Sequence, residues 1–363
     1  MHNELSKIKF FGQSIWLDSI SRQMVRSGEL QEKVDDGITG VTSNPSIFQK
    51  ALASENIYDQ SIKDIFDSGE KNPKKIFQAI SIKDISDACN VLLPTFNNSN
   101  GTDGFVSIEI DPKLANDTEA SIEEGRYLSQ SINKPNVMIK VPGTEAGFPV
   151  IENLIGSGIN VNVTLLFSRN MYRKAAQAYI KGLRYISKTN PEKIKSVSSV
   201  ASFFISRIDT AADSIITDEL SANRGKVAIA NAVLAYQDYK EIFSDEDFLY
   251  LENLGANKQK LLWASTSAKN PSYDELIYVK NLIGKDTVNT LPEATLATIK
   301  DNSNKYENKI ESKLQGYKKV MNDVDGVLNI DDITTTLLDD GIRLFRESFD
   351  SLLEEIDSKT SNY

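Results

Sequence analysis

Ile159-Asn-Val-Asn-Val-Thr-Leu-Leu166 alternates polar and apolar residues, and at Ser168 it gives way to a run of helical period that reaches Ile186. Successive side chains of a strand point to opposite faces, so Asn160, Asn162 and Thr164 share one face and Val161, Val163 and Leu165 the other. A strand with one β-branched face followed by an amphipathic helix reads as a βα unit whose apolar side packs on helices. The unit recurs from end to end. Strands are predicted at Ser14–Asp18, Gly40–Ser43, Phe105–Ile110, Val137–Val141, Ile159–Leu166, Val197–Phe204, Leu261–Thr266 and Thr287–Leu291. Helical runs lie between them, among them Thr118–Ile132, Ser168–Ile186, Arg224–Phe243 and Tyr273–Ile283. Eight strands separated by helices call for parallel crossovers, and the count predicts an α/β fold, a closed (β/α)8 TIM barrel. A doubly wound open sheet is the alternative.

No linker or low-complexity stretch divides the chain, so residues 1–363 are expected to form one domain. Two additions stand beside the barrel. Residues 51–95 hold extra helical material before the third strand. The tail from Asp331 to Ile356 repeats Ile333, Leu337, Leu338, Ile342, Leu344, Phe345, Phe349, Leu352, Leu353 and Ile356 as one long amphipathic helix, expected to pack on the domain, with a partner-binding helix as the alternative.

Composition narrows the function classes. A net charge of −10 lacks the basic footprint of a nucleic-acid binder, though it leaves room for an anionic small substrate met by local positive charge. No apolar run has membrane-spanning length, and no signal peptide is apparent. The single cysteine, Cys89, cannot form an internal disulfide, which fits a reducing cytoplasm, and it is expected to be a buried apolar residue. His2 is the only histidine, which removes histidine triads, zinc sites and histidine bases together. No Asp/Glu cluster has metal-ligand spacing, so neither metal nor cofactor is expected. The glycine pairs Gly101/Gly104 and Gly156/Gly158 lack the context of a phosphate loop and read as turns.

Lys140 lies inside the apolar run Val137-Met-Ile-Lys-Val-Pro142. Most strand lysines sit at edges or snorkel to water, so alone it says little. Burial disfavours an ammonium, and a neutral amine is what attacks a carbonyl to form a Schiff base. Strand register strengthens that reading. The inward face of a barrel is ordinarily filled by aliphatics, yet here the inward set is polar near the C-terminal strand ends, where such barrels carry their sites. Asp18, Asn44, Glu109, Lys140, Asn162, Thr164 and Ser202 all belong to it. Buried polar groups without partners cost several kcal/mol, so a set this large is expected to meet a ligand as well as itself. Schiff-base chemistry needs proton relay, which Glu109 with Thr164 could supply, and a base at the cleaved bond, for which Asp18 is free. Asn44 and Asn162 can bind sugar hydroxyls. Arg207 and Lys269, just past the sixth and seventh strands, are candidates for an anionic group; the alternative for each is a solvated surface charge.

Four segments carry a resemblance. Gly37-Ile-Thr-Gly-Val-Thr-Ser-Asn-Pro-Ser-Ile-Phe48, Met138-Ile-Lys-Val-Pro-Gly-Thr144, Gly158-Ile-Asn-Val-Asn-Val-Thr-Leu-Leu-Phe-Ser168 and Thr290-Leu-Pro-Glu293 resemble, in order, motifs of the transaldolase family. The resemblance implies a class I aldolase-like barrel with its lysine on the fourth strand, where Lys140 falls. It implies transfer of dihydroxyacetone from sedoheptulose 7-phosphate to glyceraldehyde 3-phosphate, giving erythrose 4-phosphate and fructose 6-phosphate, in the pentose phosphate pathway. Lys140 would be the nucleophile, Asp18 the base, and Glu109 and Thr164 the holders of a catalytic water. Asn44 and Asn162 would hold the dihydroxyacetone unit; Ser202, Phe204 and Arg207 would line the channel, with Arg207 on the phosphate, and Ser265 would contact substrate. Where many members have an arginine on the seventh-strand loop, this chain reads Trp263-Ala-Ser-Thr-Ser-Ala-Lys-Asn-Pro271, so Lys269 would take the phosphate. The implied partners are sugar phosphates, with no nucleic acid or membrane, for a monomer or homodimer. A fructose-6-phosphate aldolase-like lyase and a non-catalytic barrel scaffold are the rivals.

Overall fold

The strands close on themselves. In a computed structural model that describes residues 4–54, 56–301 and 304–361, eight parallel strands follow one another around a barrel in chain order. They are β1 (Gln13–Leu17), β2 (Gly40–Val41), β3 (Val106–Glu109), β4 (Val137–Pro142), β5 (Val161–Leu166), β6 (Ser199–Phe204), β7 (Lys260–Ala264) and β8 (Thr287–Leu291). An open sheet is excluded by the seam. β1 pairs with β8 over its whole length, from Gln13 opposite Thr287 to Leu17 opposite Leu291. His2 lies outside the described residues.

Local chemistry sets the helix ends. Asp117 caps Thr118–Ile132 by accepting from the Ala120 N–H, and Asn133 closes that helix in the left-handed region. Ser168 caps Arg169–Thr189 by accepting from the Met171 N–H. The helix expected over Tyr273–Ile283 is shorter, Ile277–Asn281. The Asp274 carboxylate accepts from the Leu276 N–H at 2.8 Å, a local turn that competes with helix and delays its start. Gly156 also differs from expectation, being the last residue of the helix Gly147–Gly156, while Gly158 makes the turn at φ 82°.

The barrel floor and rim differ in polarity. At the N-terminal end Ser14 and Trp16 donate to the buried Asp103 carboxylate (2.6 and 2.8 Å). The Trp16 indole fills the space beside Gly40, where an added Cβ would lie 2.4 Å from the ring; this keeps β2 a glycine-containing two-residue strand. Asn160, expected on the inward polar face, is part of this end: its amide donates to the Pro135 and Val137 carbonyls and accepts from the Ser198 N–H.

β5 breaks its own alternation. Its register against β6 shifts between Val163 and Leu166, and Leu165 takes φ 59°. Leu165 therefore leaves the outward set that simple alternation gives it, because a bulge re-aims side chains. It meets Gly341 of the C-terminal helix, where a Cβ would come within 2.9 Å of its methyl. That helix, Ile330–Thr360, does more than pack on the outside. It runs against the helices Pro45–Ser54, Pro73–Asn98 and Ser206–Asp213 and reaches β5, crossing the rim at the C-terminal strand ends. Among the described residues, no helix is long and apolar enough to cross a membrane.

Candidate active site

Three neighbouring strands bring the central side chains to one level. Glu109 on β3 stands opposite Lys140 on β4, and Lys140 stands opposite Asn162 on β5. Lys140 is only 5% exposed. Lys140 Nζ donates to the Ser43 carbonyl at 2.9 Å and lies 3.6 Å from Glu109 Oε2, too far for a hydrogen bond. Neither Glu109 oxygen has a hydrogen-bond partner, and neither does the buried Thr164 hydroxyl. In a native protein such groups call for a functional explanation. Burial pushes the Glu109 carboxyl up to about 7 against the opposing pull of Lys140, and Asp18 pushes in the same direction as burial.

Asp18 sits just past β1, across the mouth. The Thr42 hydroxyl donates to its Oδ1 at 2.7 Å, and the Thr290 hydroxyl is 2.6 Å from that of Thr42. Since the Thr42 proton is engaged with Asp18, Thr290 is the donor in the second bond. Burial raises the Asp18 carboxyl, while Lys140 and the Thr42 hydroxyl favour its anion. Two carboxyls in unequal surroundings thus flank one amine, an arrangement that can divide acid and base roles.

A cleft of about 200 Å³ opens above this layer. Asp18, Asn44, Lys140, Thr164, Ser202, Phe204, Arg207, Ser265 and Lys269, nine of the expected site residues, line it. Glu109 and Asn162 are held beneath. The Asn162 amide donates to Ser107 Oγ (3.0 Å) and accepts from Ser202 Oγ (2.7 Å), which fixes both neighbours. Asn44 uses its oxygen to accept from the Ile47 N–H, capping the helix Pro45–Ser54, so its amide N–H groups are what it can offer the cleft.

Cations mark the outer end. Arg207, the second residue of the helix Ser206–Asp213, has its guanidinium 5.8 Å from the Phe204 ring. Burial lowers its pKa and the Asp340 carboxylate opposes that shift. Lys269 projects from the loop after β7 and makes no ion pair among the described residues. Several lining residues were not singled out by register: Ser46, Ser267 and Phe345. Ser267 follows the strand by three residues, and Phe345 comes from the C-terminal helix, so no strand alternation reports on either. Among the described residues no group of three or more His, Cys, Asp or Glu side chains could hold a metal ion.

A buried lysine between two carboxyls, at the C-terminal mouth of an eight-stranded barrel, with cations at the rim, suits Schiff-base chemistry on an anionic carbonyl compound. The model of the family described as transaldolase/fructose-6-phosphate aldolase matches residues 15–356. The chain belongs to that family. Among its relatives are a transaldolase of Trichodesmium erythraeum (44% identical, covering 98% of this chain and 97% of the relative) and a transaldolase 2 of Streptomyces coelicolor (40%, covering 99% and 98%). A transaldolase of Neisseria gonorrhoeae is 41% identical over 96% of this chain and 98% of its own. The family match spans all eight strands except the first two residues of β1, and it takes in most of the helix that roofs the cleft.

Proposed function

We propose that this chain is a transaldolase, a single catalytic domain that moves a dihydroxyacetone unit from a ketose phosphate to an aldose phosphate through a Schiff base on Lys140. The pair would be sedoheptulose 7-phosphate with glyceraldehyde 3-phosphate, giving erythrose 4-phosphate and fructose 6-phosphate in the pentose phosphate pathway. The observation that carries this reading is the buried Lys140 amine with Glu109 3.6 Å away. The transaldolase names of full-length relatives support it.

The proposed steps use that geometry. The neutral Lys140 amine adds to the ketose C2 carbonyl, and the carbinolamine hydroxyl leaves as water after taking a proton. Glu109 can donate that proton because its carboxyl titrates at about 7. A water held between Glu109 and Thr164, whose polar atoms lack protein partners, would carry it. The protonated imine then draws electrons from the C3–C4 bond, while Asp18 accepts the C4 hydroxyl proton. The aldose phosphate departs, and the three-carbon enamine stays bound until a second aldehyde reverses the steps. Asn44 and Ser202 face the bound sugar, with Asn162 holding Ser202 in place. Phe204, Ser265, Arg207 and Lys269 form the path to the phosphate, which the two cations meet. A single cysteine, Cys89, supports a reducing cytoplasmic setting.

The test is product partition. Fructose 6-phosphate given with an aldose phosphate is expected to transfer its three-carbon unit, with little free dihydroxyacetone when the acceptor is left out. Sustained dihydroxyacetone release at a rate equal to transfer would replace this reading with that of a lyase.

A further inference from the structure

Among the described residues Lys269 makes no ion pair, so the position of its Nζ depends on the loop that carries it. That loop is stitched to the Arg207 helix on both sides of Lys269. Before it, the Ser206 N–H donates to the Ser265 carbonyl (3.0 Å), and the two hydroxyls lie 2.9 Å apart. After it, the Tyr273 hydroxyl donates to Asp213 Oδ2 (2.6 Å) and the Tyr278 hydroxyl to Asp209 Oδ2 (2.9 Å). Asp213 and Asp209 belong to the helix Ser206–Asp213, whose second residue is Arg207. One short helix therefore holds one cation and fixes the loop bearing the other.

Tyr273 is the attachment next after Lys269 in the chain, and its surroundings are shaped for it. Asp213 Oδ1 accepts from the Gly225 N–H at 3.0 Å, which orients the carboxylate toward the phenol. Gly225 has φ 69°, and a Cβ there would lie 2.8 Å from the Tyr273 ring. Burial and the Asp213 carboxylate both raise the Tyr273 phenol, which keeps it a donor. Tyr273 does not line the cleft.

We propose that Tyr273, through its hydrogen bond to Asp213, is a positioning residue that sets the separation of Lys269 from Arg207 and so the preference for phosphorylated substrates. The proposal rests on the functional reading above. Charge-assisted hydrogen bonds are directional, and a ligand phosphate rewards two cations only when both reach it.

Steady-state kinetics on fructose 6-phosphate and on unphosphorylated fructose, with one acceptor, tests it. Tyr273→Phe is expected to raise KM for fructose 6-phosphate about five- to tenfold with kcat little changed, and to leave kcat/KM for fructose as in the wild type. Asp213→Asn keeps the link, because its Oδ1 still accepts from Gly225 while its amide N–H donates to the phenol oxygen. KM within about twofold of wild type is expected for it. Equal losses on both donors, no change on either, or an Asn variant as impaired as the Phe variant would overturn the positioning role. Wild-type protein that transfers no three-carbon unit would instead overturn the functional reading and this proposal with it.

Discussion

Glu109 is half of an ion pair that burial makes uncomfortable, and its titration has two consequences. Its carboxyl titrates at about 7 in the folded protein, against an ordinary value of 4.5. Between those limits the folded state keeps a proton that the unfolded state has released, so this residue makes stability fall as pH rises through that window. Glu109→Gln should therefore unfold with a weaker pH dependence between about 5 and 7, and it should lose the inflection near 7 in the pH profile of transfer. Denaturation curves and kcat/KM profiles measured side by side would check both, and an unchanged profile would remove Glu109 from the proton relay. Alternation was enough to put Lys140, Glu109, Asp18 and Thr164 on the inward side, because those four positions keep the period of two even though Leu165 leaves it. It could not tell that the Asn162 amide is engaged by Ser107 and Ser202, or that Asn44 caps a helix. Those facts depend on which neighbours the register brings within 3 Å.

The C-terminal helix shows the same boundary between pattern and placement. Its apolar repeat makes a helix of Ile330–Thr360 evident, and the period says which residues share a face. The period does not say which surface that face meets. Here Ile342, Phe349, Leu352 and Ile356 are buried, Gly341 passes over Leu165, and Phe345 reaches the cleft. β5 bulges beside the crossing, and nothing in Val163-Thr-Leu-Leu166 announces it. Phe345→Ala should cost about 2–4 kcal/mol of stability and admit water above Lys140. The expected readout is a larger share of free dihydroxyacetone relative to transferred units. A variant that loses stability but partitions as the wild type would make Phe345 a packing residue alone.

At the scale of the whole molecule, closure was legible because eight βα units leave a parallel sheet no simpler way to bury both its edges. At the end opposite the polar mouth, the buried Trp16 indole donates to Asp103. The acidic total of −10 and the cationic rim coexist because Arg207 and Lys269 are concentrated at one opening. Cys89 offers a probe of the assembly as a unit. It is 0% exposed, and burial pushes its thiol up to about 12. A thiol reagent should label it only as fast as the barrel opens, with a rate that climbs with denaturant as unfolding does; rapid labelling in buffer would show a looser packing around the helix Pro73–Asn98. The most direct test concerns the amine itself. Borohydride reduction in the presence of fructose 6-phosphate, followed by peptide mass mapping, should find a three- or six-carbon adduct on Lys140 and none in Lys140→Met, whereas an adduct on another lysine, or trapping that survives the substitution, would contradict a Schiff base at this site.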